Sequence, residues 1–128
     1  MKLLLDTCTF LWLVADAPAL SKTARELFRA ADNEVYLSAA SAWEIAVKHG
    51  LGRLPLPAPP ERFVREHREA HGIAPLPIDE DSALHVSKLP ALHRDPFDRI
   101  LVSQAIVHGL AILTPDPFIM DYPARTIW

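Results

Sequence analysis

A chain of 128 residues, 50% of them hydrophobic, falls within the size of one domain and suffices for one well-buried core. Its 13 basic and 16 acidic residues leave a formal net charge of -3. That balance excludes global attraction to nucleic acid or an anionic membrane, so a polyanion has to be gripped by local patches or by metal ions.

At the N-terminus, "LLLDTCTFLWL" (3–13) interrupts two apolar runs with Asp6. That charge argues against a secretory signal, and no apolar stretch reaches the ~18 residues of a membrane span. Cys8, the single cysteine, fits a reducing compartment. The expectation is a soluble, cytoplasmic protein with residues 1–128 forming a single domain and no membrane partner. Residues 2–5 read as a strand buried on both faces, and 10–15 as the start of a helix. Asp6 between them has no obvious capping or turn role.

Ser21 can cap a helix whose Ala24, Leu27, Phe28 and Ala31 share one face, with Asp32 and Asn33 ending it. "EVYLS" (34–38) is a second strand, and Ser38 or Ser41 can cap the helix that runs to Lys48 before Gly50 stops it. "LPLPAPP" (54–60) is a stiff extended connection, followed by a helix carrying Phe63, Val64, His67 and Ala70. Two prolines in "IAPLPI" (73–78) restrict it to an edge strand, and Asp79 can cap a short helix ending before Pro90. In "RDPFDRILVSQAIVHGLAILTPD" (94–116), Asp95 caps, Pro96 takes the first helical position, Asp98 lies in the first turn and Gly109 ends the helix. "LAILT" is then a buried strand. Strands alternating with helices predict an α/β domain with a mostly parallel sheet and helices on both faces.

In such sheets ligands bind beyond the carboxyl ends of the strands. Asp6, Glu44, Asp98 and Asp116 all fall at or near those ends, which makes them candidates for one cluster. Four adjacent carboxylates raise one another's pKa unless a cation lies between them. With no cysteine or histidine set in zinc spacing, hard oxygen ligands suit Mg²⁺ or Mn²⁺, an ion that polarises phosphoryl oxygens and activates water. Each acid also has an ordinary role open to it: dipole partner for Asp98, cap for Asp95, turn residue for Asp116, solvated helix face for Glu44.

Four stretches in this order, "LLLDTCTFLWL", "LSAASAWEIAVKHGLGRL", "HRDPFDRILVSQAIVHGLAILTPD" and, more weakly, "LSKTAREL", make the chain resemble the PIN-domain ribonucleases of the VapC toxin type over essentially its full length. The resemblance implies a three-layer α/β/α fold with a central sheet of four to five strands. It implies one or two Mg²⁺ or Mn²⁺ ions on an acidic quartet mapping to Asp6, Glu44, Asp98 and Asp116, and endonucleolytic cleavage of RNA. It further implies homodimerisation and inhibition by a small antitoxin protein. Many relatives carry serine or histidine where this chain has Cys8, which reads here as packing. Thr7 and Thr114 are expected to orient carboxylates or water, and Asp95 to act as a cap more than as a fifth ligand.

Lys48, Arg53, Arg94 and Arg99 flank the acids and are candidate contacts to RNA phosphates. Trp12, Phe28, Trp43 and Phe97 are expected in the core or a dimer surface. The other readings are a housekeeping PIN nuclease, a catalytically inactive PIN binding module, and a phosphotransferase with Asp6 as covalent nucleophile. The last usually requires a second aspartate two residues on, where Cys8 stands.

Overall fold

Leu3, Leu4 and Leu5 are all completely buried, as a strand covered on both faces requires. Their side chains alternate between two cores. Leu3 and Leu5 join Phe10, Val35, Leu37 and Ile45 on one side, and Leu4 joins Leu101, Val102, Ile112 and Ile119 on the other. Burying each leucine contributes about 1.5–3 kcal/mol, so this one strand anchors both halves of the domain.

The computed structural model describes residues 1–128. The strand just described is β1 (Lys2–Leu5), followed by α1 (Thr7–Ala15), α2 (Lys22–Arg29), β2 (Glu34–Ser38) and α3 (Ala39–Gly50). Then come α4 (Pro60–Ala70), β3 (Ala74–Leu76), α5 (Glu80–His85) and a 3₁₀ turn at Val86–Lys88. The chain ends with α6 (Pro96–His108), β4 (Ala111–Leu113), α7 (Pro117–Met120) and β5 (Thr126–Ile127). The strands form one sheet in the order β3-β2-β1-β4-β5, with every neighbouring pair parallel. Helices α1, α3 and α4 supply Phe10, Ile45, Phe63 and Val64 to the first core; α6 and α7 supply Leu101, Val102, Ala105 and Ile119 to the second. The result is the three-layer α/β/α arrangement with five parallel strands. No helix is long and apolar enough to cross a membrane.

Proline-bearing β3 lies at a sheet edge, where a missing N–H costs no ladder bond. Asp79 caps α5 and Asp95 caps α6, as expected. Other expectations need correction. Asp6 does have a capping role: its side chain accepts the Thr7 N–H at 2.7 Å, so α1 starts at Thr7 and not around residue 10. Ser38, not Ser41, caps α3, and the stop after that helix falls at Leu51 and the left-handed Gly52 (φ +71), not at Gly50. Two elements went unanticipated. The four residues of α7 and the two of β5 are too short to carry a periodicity.

Candidate active site

The carboxyl ends of β1, β2 and β4 open onto a cleft of about 360 Å³ lined by Asp6, Glu44, Asp95, Asp98 and Asp116, with Lys48 and Arg53 as its only basic residues. A larger cavity, about 830 Å³, lies between α3, α4 and β3. It is mostly apolar and has a single carboxylate, Glu61, at its wall. The carboxylates therefore gather in the smaller space.

Asp6 is placed by the sheet and by α1 together. Its N–H donates to Leu113 O at 3.3 Å, extending the β1–β4 ladder by one step, while its Oδ1 takes the Thr7 amide. Oδ2 accepts the Thr114 hydroxyl at 2.7 Å and the Cys8 thiol at 3.5 Å. Burial raises its pKa, those hydrogen bonds oppose the rise, and the charge of Asp116 adds to it. With about four lone-pair directions on a carboxylate and three donors, one direction remains for a further partner.

Glu44, only 6% exposed, sits about a turn and a half into α3. Its Oε1 lies 2.7 Å from the Thr7 hydroxyl, which is also 2.9 Å from Ser41 Oγ. Oε2 is ion-paired with Lys48 one turn later. That hydrogen bond raises the Lys48 pKa against the opposing effect of burial, with Asp95 and Asp98 contributing further charge. Asp116 caps α7 through Phe118 N at 2.9 Å, and its own N–H donates to Thr114 Oγ1 at 3.0 Å. Thr114 thus links two of the acids from a fully buried position.

Asp98 is the least compensated. It is 9% exposed, and burial followed by the charges of Asp95, Asp6, Asp116 and Glu44 pushes its pKa up to about 7. No hydrogen bond of comparable weight offsets them. Asp95 is committed to capping, its Oδ1 accepting Phe97 N at 2.9 Å and Asp98 N at 3.3 Å. The Cys8 thiol, pushed up to about 12 by burial and by Asp6, stays protonated and is no nucleophile.

Five carboxylates facing two cations, with one acid reluctant to ionise, form a donor set suited to a hard divalent cation. In this conformation no three of them close around one point tightly enough to hold an ion unaided. Mg²⁺ typically binds one or two carboxylates and completes its octahedron with water and substrate oxygens, so the cleft and the ion are compatible.

Of the expected site residues, Asp6, Glu44, Asp98 and Asp116 come together, as do Thr7, Asp95, Lys48 and Arg53. Thr114 stands directly behind Asp6. Arg94 is exposed but does not line the cleft. Arg99 turns away from it: the guanidinium is spent on Val86 O, Pro90 O, His93 O and the Tyr122 hydroxyl, so it is not available to a phosphate. Trp43 is 56% exposed and packs edge-on against Phe97 at 4.9 Å, so it is not core. Ser41 was missed as a site residue, although its position three residues before Glu44 puts both on one helix face.

The family model described as "PIN domain" matches residues 3–121. The chain belongs to the PIN domain family. Within it, the curated relative "Ribonuclease VapC16" of Mycobacterium tuberculosis (strain ATCC 25618 / H37Rv) is 39% identical over 69 residues, 54% of this chain. That match spans about half, 48%, of the relative's own length. Solved PIN-fold structures align over nearly the whole chain. VapBC2 from Rickettsia felis, bound to a DNA fragment from its promoter, gives a TM-score of 0.72 at 12% identity, covering 99% of this chain and 98% of that one. VapBC from Salmonella typhimurium, also DNA-bound, gives 0.68 at 18%, covering 99% and 97%. VapBC-1 from nontypeable Haemophilus influenzae gives 0.66 at 17%, again covering 99% and 97%. At these identities the structures bear on the fold alone, and it is the PIN fold.

Proposed function

We propose that this PIN domain is a Mg²⁺- or Mn²⁺-dependent endoribonuclease of the VapC type, the toxin of a toxin–antitoxin pair. The observation that carries the reading is the shared cleft of Asp6, Glu44, Asp98 and Asp116, in which Asp98 resists ionisation until pH about 7. A scaffold gains nothing from such a cluster, because buried like charges cost stability. The 39% identity to a ribonuclease over 69 residues points to the same chemistry.

Asp6, Asp98 and Asp116 are the residues to hold the ion, with Glu44 either completing the set or orienting water. When bound, the ion supplies a Lewis acid that polarises a phosphoryl oxygen and lowers the pKa of coordinated water. The chain's own part is positioning. Thr114 and the Thr7 amide fix Asp6, and Thr114 also fixes the backbone of Asp116. The Thr7 hydroxyl and Lys48 hold Glu44 so that a carboxylate oxygen can accept a hydrogen bond from the attacking water. Water attacks phosphorus in line, the P–O3′ bond breaks, and the products carry 5′-phosphate and 3′-hydroxyl ends. Lys48 and Arg53, both on the cleft wall, contact the substrate's phosphates.

Two partners belong to this reading: a small antitoxin protein that covers the cleft, supported by the VapBC names of the solved structures of this fold, and a second copy of this chain. The exposed Trp43 and the apolar cavity beside α3 support a dimer surface. A cytoplasmic setting is supported by a single cysteine with no internal partner. The test is cleavage of single-stranded RNA by the purified protein with and without Mn²⁺. Cutting that persists unchanged in excess chelator refutes the metal-dependent reading.

A further inference from the structure

We infer that Arg99 and Tyr122 are positioning residues for the acidic cleft, a strut that holds the Asp98 and Asp116 elements in register. The inference rests on the proposed nuclease site for its meaning, but its geometry lies outside that site. Residues 89–95, which lead into α6, have no regular secondary structure. The Arg99 guanidinium gathers them. Nη1 donates to Pro90 O at 2.9 Å and lies 3.5 Å from His93 O, and Nη2 donates to Val86 O at 3.2 Å. No carboxylate is within ion-pair distance of this arginine, so it acts on neutral acceptors alone, three carbonyls and the Tyr122 hydroxyl.

Tyr122, only 3% exposed, closes the connection. Its hydroxyl accepts from Arg99 Nη1 at 3.1 Å and from His93 N at 3.1 Å, and donates to His93 O at 3.2 Å. The Arg99 guanidinium carbon also lies 5.8 Å from the Tyr122 ring centre. On its other side, the Tyr122 N–H donates to Ile119 O, which joins the tyrosine to α7. The His93 ring adds a second tie, with Nε2 3.2 Å from Asp121 Oδ2 and the ring 4.4 Å from that of Phe118. One end of the network therefore precedes Asp95 and Asp98, and the other follows the helix that Asp116 caps. Two mutually repelling carboxylates are carried on elements with no other polar fastening of this density between them. A phenol buried with three hydrogen bonds in a low-dielectric setting keeps their separation fixed.

The experiment uses Tyr122→Phe, which removes one oxygen, and Arg99→Lys, which retains the charge but not the fork. Three quantities are compared with wild type: Mn²⁺ affinity by electron paramagnetic resonance, amide exchange across residues 91–98 and 117–122, and kcat and KM on single-stranded RNA. The expected result is roughly tenfold weaker Mn²⁺ binding in both variants, the scale of support-residue loss at a metal site. Faster exchange in both segments is expected with it, and kcat should fall while KM and its salt dependence hold. Wild-type Mn²⁺ affinity and exchange in both variants would overturn the strut, as would a raised KM with a shallower salt slope in a third variant, Arg99→Gln, whose lost charge would mark a phosphate contact. If wild type cuts no RNA, the nuclease reading fails, while Mn²⁺ affinity and exchange still decide the strut.

Discussion

Asp98→Asn should make the metal-free protein more stable at pH 8. The native carboxyl ionises near pH 7 instead of 3.8, and at about 1.4 kcal/mol per pH unit that displacement corresponds to about 4 kcal/mol as an upper bound. Asp98 is 9% exposed, so solvent screening discounts it little. Its place in the first turn of α6 returns about 0.3–1 kcal/mol through the helix dipole, which asparagine forfeits. A net gain of up to about 3 kcal/mol remains, and roughly 3–6 °C in Tm accompanies each kcal/mol in a domain of this size. The sign with pH follows from proton linkage. Between about pH 4 and 7 the native state binds the Asp98 proton and the unfolded state does not, so wild-type stability falls as pH rises through that window. The advantage of Asp98→Asn is therefore full above pH 7 and disappears toward pH 4. Saturating Mn²⁺ should reverse the order, because an ion bound only by the native wild type stabilises it. Thermal unfolding of both proteins at pH 5 and pH 8, with chelator and with Mn²⁺, measures all four conditions. An Asp98→Asn Tm at or below wild type at pH 8 in chelator, or a gap that stays constant down to pH 5, would refute the electrostatic reasoning.

Thr114→Val deprives Asp6 Oδ2 and the Asp116 amide of one shared partner; denaturant titration should show a loss of about 1–3 kcal/mol. RNA binding by Arg53→Ala should lose roughly one unit of its log–log salt slope, whereas Arg99→Gln, which also removes a charge, keeps the wild-type slope. With its pKa near 12 instead of 9.0, Cys8 holds roughly a thousandfold less thiolate at pH 8 than a free cysteine. Iodoacetamide should therefore label native protein extremely slowly and unfolded protein normally, as mass spectrometry can follow.

Much of the fold was legible because its long elements carry strong local signals. Asp95, Pro96 and Gly109 mark both ends of α6, and the triple leucine of β1 admits few placements other than the sheet centre. The same locality explains the failures. The employment of Asp6 is hidden in the sequence because its strongest side-chain donor, Thr114, lies 108 residues on, while its near donors, the Thr7 amide and the Cys8 thiol, carry no pattern of their own. Adjacency to Asp98 suggests a phosphate contact for Arg99, yet successive helix residues point about 100° apart and its guanidinium faces the distant Tyr122. The sequence shows Ser41 only as a possible cap, because its hydroxyl partner Thr7 belongs to another helix. Thr114 behind Asp6, Tyr122 beside Arg99 and Thr7 beside Ser41 are all long-range side-chain contacts, which periodicity does not encode.

The four-carboxylate cleft as a site of hydrolytic RNA cleavage is tested most directly by mapping product ends. Purified wild type, freed of any bound partner, and Asp6→Asn are incubated with single-stranded RNA and Mn²⁺, and the ends are sequenced and chemically typed. Wild type should generate internal cuts with 5′-phosphate and 3′-hydroxyl termini, absent in chelator and reduced about a hundredfold or more in Asp6→Asn. Terminal 2′,3′-cyclic phosphates, or cutting by Asp6→Asn at the wild-type rate, would contradict it.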